Sequence, residues 1–165
     1  MKILFLDIDG VLNSRAYDRK RNWSELTNID ETRLPLVKKI IDKTGAKIVL
    51  ISTWRRHWDK DESLCDEDGM YINRLFTKYG LTIYDKTPDL DLLSKRRDEV
   101  KAWLEVKAWL AEYGYEVECF VILDDYRFGW EDLSEFCIHT NPQYGLGLEE
   151  EHVGSAINLL NSSKW

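Results

Sequence analysis

Five short apolar runs, at 3 to 6, 48 to 51, 81 to 84, 120 to 123 and 136 to 138, alternate with longer segments that carry a helical periodicity. This alternation constrains the fold more than any other feature of the chain. Runs of this length, rich in Ile, Val, Leu and Phe, suit strands buried on both faces, as in a parallel sheet covered by helices. The helical patterns cover 31 to 43, 70 to 79, 95 to 113 and 149 to 160, and the first three lead to Gly45, Gly80 and Gly114, the residue type that closes a helix most readily. Strands alternating with helices imply right-handed crossovers. The expected architecture is therefore a Rossmann-like three-layer α/β sandwich, with about five mostly parallel strands and helices on both faces. Ligands of such sheets bind outside the carboxyl ends of the strands.

The 165 residues are enough for one ordinary domain, and no linker divides them, so a single domain over 1–165 is expected. Pro35, Pro88 and Pro142 fall singly at loops or helix starts. No window has the unbroken apolar length of a membrane span, and the first apolar run leads into acids rather than a cleavage site, so a cytoplasmic protein without membrane contact is expected. Cys65, Cys119 and Cys137 are odd in number and form no C-x-x-C pair, which suggests neither a disulfide framework nor a zinc site. The net charge of -7 argues against a broad nucleic-acid surface; Arg15, Arg19, Lys20 and Arg21 form a local basic patch, read as a solvated loop.

One repeat stands out. The hexapeptide EVKAWL at 99 to 104 is followed at once by an identical copy at 105 to 110. Two copies of six residues make no solenoid, so this is a tandem duplication within one helix. Six added residues lengthen a helix by about 9 Å and rotate the chain beyond them by about 240°. Val100, Trp103 and Leu104 then form one apolar cluster, and Val106, Trp109, Leu110 and Tyr113 form another pointing elsewhere. Either the helix bulges, or one cluster faces solvent or a second copy of the chain in a homodimer.

The chemistry gathers at the strand ends. KILFLDIDGVLN finishes an apolar run on Asp7 and Asp9, followed by Gly10. Paired acids there repel each other and lose solvation, so they persist best where a cation or a reaction requires them. FVILDDY sets Asp124 and Asp125 in the same relation to another run. Carboxylates gathered on one sheet edge suit Mg²⁺, which takes a few carboxylates together with phosphate oxygens. KIVLISTWRR ends on Ser52 and Thr53 before Trp54 and Arg55, hydroxyls and amides that can hold a phosphate. LLSKRRDEV opens the long helix with Lys95, Arg96 and Arg97, any of which could balance the acids and the charge of a transferring phosphoryl group.

These elements, in this order, resemble the haloacid dehalogenase (HAD) superfamily of aspartate-dependent phosphotransferases over nearly the whole chain. The D-x-D-G motif matches Asp7, Asp9 and Gly10; the hydroxyl motif matches Ser52; the basic motif matches Arg96 or Lys95; the acidic pair matches Asp124 and Asp125. The resemblance implies a Mg²⁺-dependent phosphatase in which Asp7 attacks phosphorus to form an aspartyl-phosphate and Asp9 serves as acid and then base. Asp7, the Asp9 carbonyl and chiefly Asp125 would hold the metal, with Asp124 behind or beside them. Ser52 and the Arg96 or Lys95 cation would hold the phosphoryl group.

The family's substrate-selecting cap has no room here, since neither the gap from Gly10 to Glu31 nor that from Arg56 to the basic motif holds a large insertion. A capless member goes with larger substrates such as protein phosphosites or nucleic-acid ends. ISTWRRHW is similar to a small RNA-repair-like subfamily. Trp23, Trp54 and Trp58 are read either as base-stacking groups or as core and rim packing, Arg55 as a holder of a second phosphate, and His57 as a rim residue; His139 and His152 are read as structural. YGLGL at 144 to 148 is read as a turn before the last helix. The leading expectation is a Mg²⁺-dependent phosphomonoesterase. The alternatives are a small-nucleotide phosphatase with 14–29 as a flap, and a catalytically idle module that associates through the duplicated helix.

Overall fold

The computed structural model describes residues 1–14, 29–90, 95–114, 116–141, 143 and 145–162. Five strands, β1 (Lys2–Leu6), β2 (Lys47–Leu50), β3 (Ile83–Lys86), β4 (Cys119–Asp124) and β5 (Cys137–His139), form one sheet in the order β3-β2-β1-β4-β5. Every pairing is parallel. The chain is thus an α/β Rossmann-like fold of the expected kind, and the sheet is parallel throughout rather than mostly so. β1 lies at the centre, where the strand order reverses, and that crevice is where such sheets hold their ligands.

Among the described residues four α-helices complete the layers: α1 (Leu34–Thr44), α2 (Glu67–Lys78), α3 (Arg96–Trp109) and α4 (Glu150–Ser162). Asp66 starts α2 three residues before the apolar periodicity does, because its carboxylate accepts the N–H groups of Asp68 and Gly69. The sheet sorts its side chains by alternation. Leu4, Leu6, Ile48, Leu50, Val121 and Leu123 join the core under α1, α2 and α4, whereas Ile3, Phe5, Val49, Phe120 and Ile122 meet α3 on the other face. Phe5 contacts Trp103 edge to face at 5.4 Å and 89°, a geometry that adds about 0.5–1.5 kcal/mol to the area buried. No helix among the described residues is long and apolar enough to cross a membrane.

The duplicated hexapeptides lie in one continuous helix and meet opposite fates. In the first copy Val100, Trp103 and Leu104 are buried against the sheet; in the second, Val106 is 55% exposed. Glu99 is buried while Glu105 is exposed, and Lys107 is buried while Lys101 reaches out to Asp132 at 2.6 Å. The inverted pattern is the 240° turn made visible, since no bulge absorbs it. Lys107 adapts by lying over the Trp103 ring at 4.8 Å and pairing with Asp85 at 3.3 Å. The helix then tightens into a 3₁₀ turn at Ala111–Tyr113, and Tyr113 is 69% exposed. The basic patch at Arg15, Arg19, Lys20 and Arg21, Trp23 and nearly all of the 14–29 flap lie outside the described residues.

Candidate active site

The strand register assembles the site. Leu6 aligns with Leu50 on one side and Leu123 on the other, so the residues just beyond them all emerge at one edge. The ladder runs one step further, with Asp7 N–H donating to Leu123 O at 3.0 Å and Ile51 N–H to Leu6 O at 3.1 Å. Asp7, Ser52 and Asp124 are thereby fixed in the sheet edge, each fully buried.

Burial sets the electrostatics. Desolvation pushes the Asp7 carboxyl up to about 7, opposed by Arg96 and reinforced by Asp124. Arg96 Nη1 donates to Asp7 Oδ2 at 2.6 Å and to Asp124 Oδ2 at 2.8 Å, so one guanidinium bridges two buried acids. Burial works against its charge, but the two carboxylates outweigh that and raise its pKa. The other oxygen of Asp124 accepts the N–H of Tyr126 at 2.7 Å. The other oxygen of Asp7 is buried and has no partner. Buried carboxylate oxygens are rarely left so, and an orphan beside other acids is what a cation would satisfy. Asp7, Asp124 and Asp125 each offer an oxygen within 4.8 Å of the others. Burial, then Asp124, raises Asp125 as well. An all-carboxylate oxygen set with an unfilled valence fits Mg²⁺.

Gly10 makes the close approach. It sits at φ 78°, and a Cβ there would lie 2.4 Å from the Asp125 carboxyl carbon. The turn it opens is held by Asn13, whose Oδ1 accepts Gly10 N–H at 2.7 Å while its Nδ2 donates to Asp9 Oδ1 at 3.0 Å. Thr140 Oγ1 donates to Gly10 O at 2.8 Å. Gly147, at φ 83°, presses on the same loop, where a Cβ would meet Val11 O at 2.5 Å, and Leu148 N–H donates to Val11 O at 2.8 Å, so these two residues brace the D-x-D-G loop. The sequence reading missed Asn13 and Thr140, although an Asn just after D-x-D-G was a visible signal of a side-chain-stabilised turn.

The remaining candidates separate. Asp9 projects outward, and its carboxylate is outside the metal-capable trio; Trp54 Nε1 donates to its Oδ2 at 3.1 Å. Ser52 starts a 3₁₀ turn, Thr53–Arg56, by accepting Trp54 N–H at 3.4 Å, and Thr53 is exposed. Of the two basic alternatives, Arg96 reaches the acids, whereas Lys95 precedes the helix and lies 3.7 Å from Glu131 on the surface. Arg55 corrects the expectation of a free phosphate holder. Its side chain is 4% exposed and bound to Glu99 at 2.6 Å, Asp89 at 3.3 Å and the carbonyls of Ile51 and Ser52. Trp58 is buried with Nε1 on Asn73 at 2.6 Å, a packing group rather than a base platform. His57 pairs with Asp66 at 2.6 Å.

A family model described as the HAD domain in Swiss Army Knife RNA repair proteins matches residues 3–153, from β1 into α4. The chain belongs to this family. No curated protein and no solved structure matches it. As a HAD domain the chain is a HAD-type hydrolase in general class.

Proposed function

We propose that this HAD domain is a Mg²⁺-dependent phosphomonoester hydrolase that works through an aspartyl-phosphate on Asp7. The observation that carries the reading is the division of labour on Asp7. One oxygen is held by Arg96, and the other is buried and unpaired within a trio of carboxylates.

Asp7, Asp125 and Asp124 would hold the metal, which when bound supplies charge neutralisation for the approach of a carboxylate to a phosphate dianion. An Asp7 oxygen forms a bond to phosphorus as the bond from phosphorus to the leaving oxygen breaks. Asp9, kept outward by Asn13 and Trp54, gives its proton to that oxygen. Asp9 then takes a proton from water, whose oxygen attacks phosphorus; the bond to Asp7 breaks and inorganic phosphate leaves. Ser52 at the end of β2 and the Arg96 guanidinium orient the phosphoryl oxygens and balance their charge. The family description, which names RNA repair, supports a phosphorylated nucleic-acid end as substrate.

The test is phosphate release from an aryl phosphate by the wild type and by Asp7→Asn, with and without Mg²⁺. Release that requires Mg²⁺ and disappears in Asp7→Asn is the expected result. Release that survives the substitution would overturn the assignment of the nucleophile.

A further inference from the structure

Next to the acids lies a pair of aromatic rings that packing does not explain. Tyr126 and Phe128, in the loop after β4, are 60% and 75% exposed. Their rings meet edge to face, at 5.8 Å and 69°, so they support each other rather than standing as two stray side chains. A Phe exposed to this degree forgoes burial worth about 1.5–3 kcal/mol, and the core of this protein has taken up its other Phe rings far more fully.

The loop that carries them is fastened at both ends. Tyr126 N–H donates to Asp124 Oδ1 at 2.7 Å, and Trp130, only 3% exposed, donates its indole N–H to Tyr126 O at 3.1 Å. The ring pair is thus tied to the bridged acids. Arg96 and Asp125 line the same cavity of about 420 Å³ as Tyr126, Phe128 and Trp130. This size lies toward the small end of ligand sites and suits one planar group rather than a duplex. Lys95, its side chain 58% exposed and 3.7 Å from Glu131, completes the lining.

Resting on the hydrolase reading above, we propose that this cavity is the leaving-group subsite, in which Phe128, steadied edge-on by Tyr126, stacks on the nucleobase of a nucleotide whose phosphate reaches Asp7. A purely aliphatic leaving group would use the rings poorly, since their open faces leave it half in water. A base has a flat face for the rings and polar edges that remain hydrated, and stacking contributes about 1–3 kcal/mol per base.

The experiment compares kcat/KM for glycerol phosphate, adenosine monophosphate and a short single-stranded oligonucleotide with a terminal phosphate, all with Mg²⁺. The quantity read is the ratio of each nucleotide substrate to glycerol phosphate in wild type, Tyr126→Ala, Phe128→Ala and Phe128→Trp. We expect the ratio to fall about tenfold in Phe128→Ala, less in Tyr126→Ala, and to be retained in Phe128→Trp, a fall equivalent to about 1.4 kcal/mol of stacking. A fall for both nucleotide substrates assigns the subsite to the base alone, and one confined to the oligonucleotide assigns it to strand ends. A ratio that both alanine variants leave unmoved would overturn the subsite while the hydrolase reading stood. If the wild type releases phosphate from none of the three, the hydrolase reading fails, and the subsite is then judged by calorimetric affinity for adenosine monophosphate. Weaker binding in Phe128→Ala supports it, and equal binding overturns it.

Discussion

Arg55 Nη2 and Glu99 Oε1 lie 2.6 Å apart in an ion pair whose side chains are 4% and 7% exposed. The pair ties the turn after Ser52 to the first of the two hexapeptides, and so joins the loop after β2 to the helix that delivers Arg96. Burial lowers the Arg55 pKa and raises that of Glu99, and each partner offsets the other's shift.

Removing one member leaves the other charged and buried. Glu99→Gln is therefore expected to destabilise the protein by about 3 kcal/mol, whereas Glu105→Gln, the same change in the second copy, alters stability by less than about 0.5 kcal/mol. Urea denaturation of the two variants checks this, and equal losses would contradict the difference in burial.

The Asp7 carboxyl, pushed up to about 7 by burial, makes the metal-free protein less stable as pH rises. Between its ordinary value of 3.8 and about 7 the folded chain holds a proton that the unfolded chain has released. The stability from this group is complete below about pH 4 and is lost as pH climbs through about 7. Melting temperature measured across that window in chelator should fall with rising pH. Asp7→Asn should flatten the slope, and Mg²⁺ at pH 7 should restore stability to the wild type.

In the proposed mechanism Trp54 acts through Asp9. Trp54→Phe keeps the ring but removes the N–H that holds the carboxylate. Steady-state kinetics are expected to show kcat lower by about tenfold with KM changed less, because orientation of the proton donor matters more to the transition state than to the bound substrate. A rise in KM alone would assign Trp54 to substrate binding.

Gly10→Ala meets two obstacles at once, a φ of 78° and the Asp125 carboxyl carbon 2.4 Å from the new methyl. Mg²⁺ affinity by calorimetry should weaken by about tenfold or more, since Asp125 must move for the loop to close.

The fold was legible because the apolar runs and the helix-closing glycines are local signals, and parallel pairing follows from their alternation. The strand ends carried the acids and Ser52 to one edge for the same reason. The features hidden in the sequence depended on reach. Lys95 and Arg96 are neighbours with like charge, and only the start of α3 decides which one faces the acids. Arg55 looked available until Glu99, 44 residues away, was found beside it. Tyr126 and Phe128 come directly after the acidic pair, but nothing in their spacing told whether they would be buried.

The two hexapeptides give the long helix a choice of register. They present identical chemistry to the surface formed by Phe5 and Phe120, so that surface cannot tell one from the other. Were the second copy to take the buried place, the helix would slide by about 9 Å, and Ala102 would stand where Arg96 stands now. Asp7 and Asp124 would then face each other with no cation between them. The charge balance of the site thus acts as a lock on the position of a segment that its own composition leaves ambiguous. The acids would then hold the helix to its tooth as much as the helix serves the acids.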